Sequence, residues 1–106
     1  GQTGCGKTLA YLLPLIHRMK RDEEISGAQR ARPGRPRMIV LVPTRELGMQ
    51  VLGVAKSLTH LGKFSCTSML GGGKRRDQKK ALEIGYDIVI ATPSRLVDMA
   101  RIGALK

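Results

Sequence analysis

Aromatic side chains are scarce in this chain: its 106 residues include two Tyr, one Phe and no Trp. That argues against the stacking platforms by which proteins hold splayed bases or generic single strands. Acidic residues are few as well, eight against nineteen Lys and Arg, and the net charge of +11 creates a field that attracts polyanions. No apolar run approaches the roughly 20 residues of a membrane-spanning helix. No basic amphipathic helix dominates either, so a membrane is the poorer partner and nucleic acid the natural one. The two cysteines, Cys5 and Cys66, stand far apart and outside any metal-ligand spacing. This usage fits a reducing, intracellular setting rather than a disulfide framework. His17 and His60 have no second ligand at metal-binding spacing, which leaves them as surface or packing residues.

The chain opens on Gly1-Gln2-Thr3-Gly4-Cys5-Gly6-Lys7-Thr8, a glycine-rich loop that runs into an apolar helical pattern. In such a loop, glycines let backbone N–H groups converge on phosphates, and the following helix presents its positive dipole end to the same charge. Gln2, Thr3, Gly4, Cys5, Gly6, Lys7 and Thr8 are therefore candidate ligands of a nucleoside triphosphate. Lys7 would reach the β- and γ-phosphates, and the Thr8 hydroxyl would ligate Mg²⁺.

Leu9, Leu12, Leu13, Ile16 and Met19 recur at helical spacing and predict a helix to about Arg21, with Pro14 as a kink. Residues 22–37 turn polar, with Gly27, Pro33, Gly34 and Pro36 among four arginines, and predict a flexible basic surface loop. Met38-Ile39-Val40-Leu41-Val42 has the pattern of a strand buried on both faces of a parallel sheet. Leu47, Val51, Val54, Ala55 and Leu58 form the stripe of a second helix, with Thr44 as its N-cap. Ser65 to Leu70 reads as a weaker strand, Lys74 to Ile84 as a basic helix capped by Gly85, and Tyr86 to Ala91 as a further buried strand. Pro93 then starts a last helix through about Ala100. The alternation predicts an α/β fold, a P-loop NTPase with a parallel sheet and flanking helices. The length is short for such a sheet, and the strand that feeds a P-loop is not seen, so the expectation is an incomplete domain.

Each predicted strand ends in an unusual loop: Pro43-Thr44-Arg45-Glu46-Leu47, Gly71-Gly72, and Thr92-Pro93-Ser94-Arg95. Ligands of open α/β sheets bind beyond the carboxyl ends of the strands, so these loops are expected on one edge beside the P-loop. Hydroxyls, cationic forks and glycines suit a phosphodiester backbone and select no base.

These elements resemble the first RecA-like lobe of a DEAD-box RNA helicase. The P-loop is similar to that family's Ala-x-Thr-Gly-x-Gly-Lys-Thr, with Gly1 in place of alanine. Pro43 to Leu47 matches its Pro-Thr-Arg-Glu-Leu, with Gln50 following. Gly71-Gly72 resembles its glycine doublet, with Gln78 and Gly85 at fitting distances. Thr92 to Arg95 matches Thr-Pro-Gly-Arg except at Ser94.

The resemblance implies an ATP-dependent RNA helicase in which residues 2–8 hold ATP and Mg²⁺. Pro43, Thr44, Arg45, Gly71, Gly72, Thr92, Pro93 and Arg95 would hold the sugar-phosphate backbone of RNA. It also implies a second lobe and an acidic Asp-Glu-Ala-Asp element, neither present here, so no catalytic residue is assigned and the stretch alone is expected not to hydrolyse ATP. A different P-loop enzyme would leave Pro43 to Leu47 unexplained. A non-catalytic RNA-binding module remains the other alternative.

Overall fold

The computed structural model describes residues 4–26 and 32–105, and among these the side chains of 10–25, 32–60 and 62–105. The chain forms helix α1 (Gly4–Ser26), strand β1 (Met38–Leu41), helix α2 (Arg45–Ser57), a short helix α3 (Thr59–Gly62), strand β2 (Cys66–Met69), helix α4 (Arg75–Ile84), strand β3 (Ile88–Ala91) and helix α5 (Pro93–Arg101). The three strands are parallel in the order β1-β3-β2, so β3 is central. Met38 and Cys66 pair with Ile88, and Leu41 and Met69 pair with Ala91.

Alternation along β3 explains the layers. Ile88 and Ile90 join a core with Leu12, Ile16 and Met19 of α1 and Val51, Leu52 and Ala55 of α2. Val89 and Ala91 face the other way, into a smaller core with Leu82 of α4 and Met99 of α5. Every residue of β3 is buried, as its unbroken apolar run requires. The expected α/β architecture, a parallel sheet with helices on both faces, is present.

β1 departs from the expectation of burial on both faces. Val40 is buried, but Ile39 and Leu41 remain 38% and 56% exposed. The core beneath α4 and α5 contains no β1 side chain, so that face of the strand is uncovered among the described residues.

The segment 22–37, expected as a flexible loop, is ordered at both described ends. α1 continues through Pro14 to Ser26. Arg37 donates from Nη2 to the Met19 carbonyl (2.8 Å) and lies 2.9 Å from Glu23, which also pairs with Lys20 at 3.0 Å. Burial raises the Glu23 carboxyl, but hydrogen bonds and charge from Arg37 and Lys20 outweigh it and hold the pKa below the ordinary 4.5. Arg32 and Arg35 form an isolated antiparallel bridge around Gly34. Residues 27–31 lie outside the described residues.

Asp87 ties the strands together at their N-terminal edge. Its Oδ2 accepts from the Ser65 backbone N–H (3.0 Å), its own N–H donates to Ser65 Oγ (3.1 Å), and its carbonyl accepts from Arg37 and Met38. Nothing in the sequence pattern singled it out.

Candidate functional site

At the opposite, C-terminal edge the three strand-end loops meet. Thr44 lies in extended backbone and its Oγ1 accepts the Leu47 N–H at 3.2 Å, the N-cap that its position predicts. α2 can approach the sheet closely because residue 48 is glycine. A Cβ there would stand 2.5 Å from Leu70 Cδ2, and Leu70 is buried.

Gly71 and Gly72 follow Leu70 and connect the other two loops. The Gly71 N–H donates to Thr92 Oγ1 at 3.0 Å, and Thr92 is buried. Gly72 takes φ +87, and its Cα hydrogens face Arg45: a Cβ would lie 2.7 Å from Arg45 Nη1. Glycine is required there by the backbone conformation, while the mobile end of the Arg45 side chain could yield to a Cβ. Thr44-Arg45, Gly71-Gly72 and Thr92 thus lie together on one edge, where loops beyond the carboxyl ends of parallel strands are expected.

The two arginines differ. Arg45 is exposed and makes no hydrogen bond or ion pair with the described residues, so its guanidinium is free to meet an anion. Arg95 is only 12% exposed in its side chain and is engaged by the protein. Its Nη1 donates to the Gly73 carbonyl (3.1 Å) and to Gln78 Oε1 (2.6 Å), and its Nε lies 3.8 Å from Asp98. Gln78 Nε2 in turn donates to the Leu70 carbonyl at 3.0 Å. Arg95 and Gln78 therefore brace the glycine loop from both sides. Gln78 carried a signal in its spacing from the glycine doublet. Asp98 was missed, although three residues from Arg95 on a helix is a pairing distance.

Thr92 precedes α5 without capping it, because its hydroxyl oxygen is committed to Gly71. Pro93 has no N–H, which leaves the first-turn N–H groups of Ser94 and Arg95 without a capping side chain. An open helix N-terminus attracts anions.

α1 begins at Gly4, within the glycine-rich segment. Its C-terminal half lies at the strand N-termini, where Arg37 reaches Met19, and beside the far end of α2, where Lys20 Nζ donates to the Lys63 carbonyl at 2.9 Å. The helix therefore runs the same way as α2, towards the strand N-termini. Gln2 and Thr3 lie outside the described residues, and of Gly4, Cys5, Gly6, Lys7 and Thr8 only the helical backbone is described. Cys66 is buried, and burial pushes its thiol pKa up against a smaller lowering by Lys56. The described residues assemble no group of three or more His, Cys, Asp or Glu that could hold a metal ion, and none of their helices is long and apolar enough to cross a membrane.

The chain is similar to several known proteins. The chain is 47% identical over 105 residues to DEAD-box ATP-dependent RNA helicase 50 of Arabidopsis thaliana, covering 98% of this chain and 13% of that protein. It is 46% identical over 98 residues to the human probable ATP-dependent RNA helicase DDX43, covering 92% and 14%. Among solved structures, the yeast DEAD-box splicing factor Prp28 superposes with a TM-score of 0.80 at 30% identity, over 100% of this chain and 24% of that one. A hypothetical ATP-dependent RNA helicase from Sulfolobus tokodaii gives 0.71 at 28% identity, over 99% and 27%. The family profile of the DEAD/DEAH box helicases matches residues 1–106, and the chain belongs to that family.

Proposed function

We propose that this chain forms the RNA-backbone-binding and nucleotide-phosphate-binding part of an ATP-dependent RNA helicase. The observation that carries this reading is the joining of the three strand-end loops through the Gly71–Thr92 hydrogen bond and the Gly72–Arg45 contact. The joined loops offer backbone N–H groups at Ser94 and Arg95 and the free Arg45 guanidinium, a set that suits successive phosphates. Scarce aromatics and the absence of a base-reading constellation favour recognition that ignores sequence.

The start of α1 fits a nucleotide phosphate, since its N-terminus lies within the glycine-rich segment. Gly4 and Gly6 would present N–H groups, Lys7 would neutralise the β- and γ-phosphates, and Thr8 would ligate Mg²⁺. Bound there, ATP would supply a β–γ phosphoanhydride bond whose hydrolysis, passing the γ-phosphoryl group to water, would accompany release of the RNA. The second lobe and the acidic element that the family resemblance implies would complete the machine in the intact protein, within a reducing compartment.

Arg45→Ala in the intact protein tests the RNA half. Losing one phosphate contact should weaken RNA binding severalfold and reduce the dependence of log K on log salt by about 0.7. Lys7→Ala should abolish ATP binding while leaving RNA binding in the absence of nucleotide. RNA affinity untouched by Arg45→Ala and Arg95→Ala combined would refute the assignment of the loops.

A further inference from the structure

Between Lys74 and Ile84 the chain carries five cations and two acids, a density that a solvated helix face alone could explain. The tertiary structure adds a second basic segment to that face. Gly34, in a left-handed conformation (φ 73) and buried, donates its N–H to the Leu82 carbonyl at 2.9 Å, which pins the Arg32–Arg35 turn onto the C-terminal turn of α4. Pro33 and Gly34 line one cleft of about 240 Å³ together with Lys79 and Glu83 of α4. Arg32, Arg35, Arg76, Lys79 and Lys80 are all exposed and form no ion pair with the described residues. Arg75, by contrast, is held by Asp98 at 3.2 Å.

The direction of α4 gives this face its meaning. The helix starts beside Gly73, which Arg95 braces at the loop site, and ends beside Arg35 at the other edge of the sheet. Ten helical residues span about 15 Å, the length of roughly four phosphates on a stacked strand.

We propose that α4 and the Arg32–Arg35 turn form a basic track that carries RNA backbone away from the strand-end loops, lengthening the bound strand without reading its bases. The proposal rests on the reading of those loops as an RNA site. Asp77 and Glu83 interrupt the track, which favours discrete phosphate contacts over a uniform cationic surface.

The test compares two RNA strands, of about 8 and about 24 nucleotides, on the intact protein and on its Arg76→Gln/Lys79→Gln/Lys80→Gln variant. The longer strand should lose about tenfold in affinity at low salt, its salt slope should fall by about 2, and the short strand should bind within twofold of wild type. Arg32→Gln/Arg35→Gln should give the same length-selective loss from a different segment, which guards against damage to α4 itself. Unchanged binding of the longer strand, or equal loss for both strands, overturns the track. A wild type that binds the longer strand but not the shorter would instead refute the loop site, and one that binds neither would refute both.

Discussion

Thr92→Val isolates the link that joins two loops of the site. The substitution keeps the shape of a buried, β-branched side chain and removes the one oxygen that accepts the Gly71 N–H at 3.0 Å. A typical intramolecular hydrogen bond contributes about 0.5–1.5 kcal/mol, and a buried donor left without a partner costs about 1–3 kcal/mol. Gly71 is only half-buried, so water can reach its N–H in part, and the expected loss is about 1–2 kcal/mol. The freed Gly71-Gly72 segment should also let Arg45 drift, so RNA affinity should fall along with stability. Thr92→Ser, which keeps the oxygen, should lose much less on both counts. Urea unfolding monitored by circular dichroism gives the first quantity, and fluorescence anisotropy with a short RNA gives the second. A valine variant matching wild type in both assays, or a serine variant as damaged as the valine one, would show that the hydrogen bond does not organise the site.

Two glycines of α2 should respond with opposite signs. Gly53→Ala places its methyl in open space and should stabilise the helix by about 1 kcal/mol through propensity alone, whereas Gly48→Ala drives a methyl within 2.5 Å of Leu70 and 3.1 Å of Val42. Overpacking of about 1–3 kcal/mol should outweigh the same propensity gain, so thermal melts should move in opposite directions. Acid stability should depend on Glu23. A carboxyl whose folded pKa lies below 4.5 contributes stability that is present above that pH and is lost as pH falls through the folded value. Glu23→Gln should therefore lower the melting temperature at neutral pH and flatten its decline below pH 4.5; an unchanged acid profile would place the linkage elsewhere.

The local chemistry of the site was legible because each element obeys a short-range rule. Thr44 caps α2, Gly85 ends α4 in a left-handed conformation with its N–H on Leu82, and Pro93 begins α5, all from spacing along the chain. The unbroken run of β3 likewise announced a buried strand. β1 carries a similar run, yet Ile39 and Leu41 are exposed, because hydrophobicity states what a strand can bury and not which neighbours lie over it. Within the expected loop 22–37, helix α1 runs on to Ser26, and the role of Arg37 was hidden for a related reason: it looks like a solvated cation until the Met19 carbonyl and Glu23 are brought to it across the fold.

The sequence by itself determined the order of helices and strands, the phosphate-suited composition of the loops and the family, since all of these depend on neighbours a few residues apart. Only the tertiary structure decided which cations remain free. Arg45 and Arg95 stand in equivalent loops, but Gln78 and Gly73 converge on Arg95 while Arg45 rests against a glycine with no acceptor among the described residues to hold it. That difference comes from side chains drawn from separate turns of the fold, and no pattern along the chain encodes it.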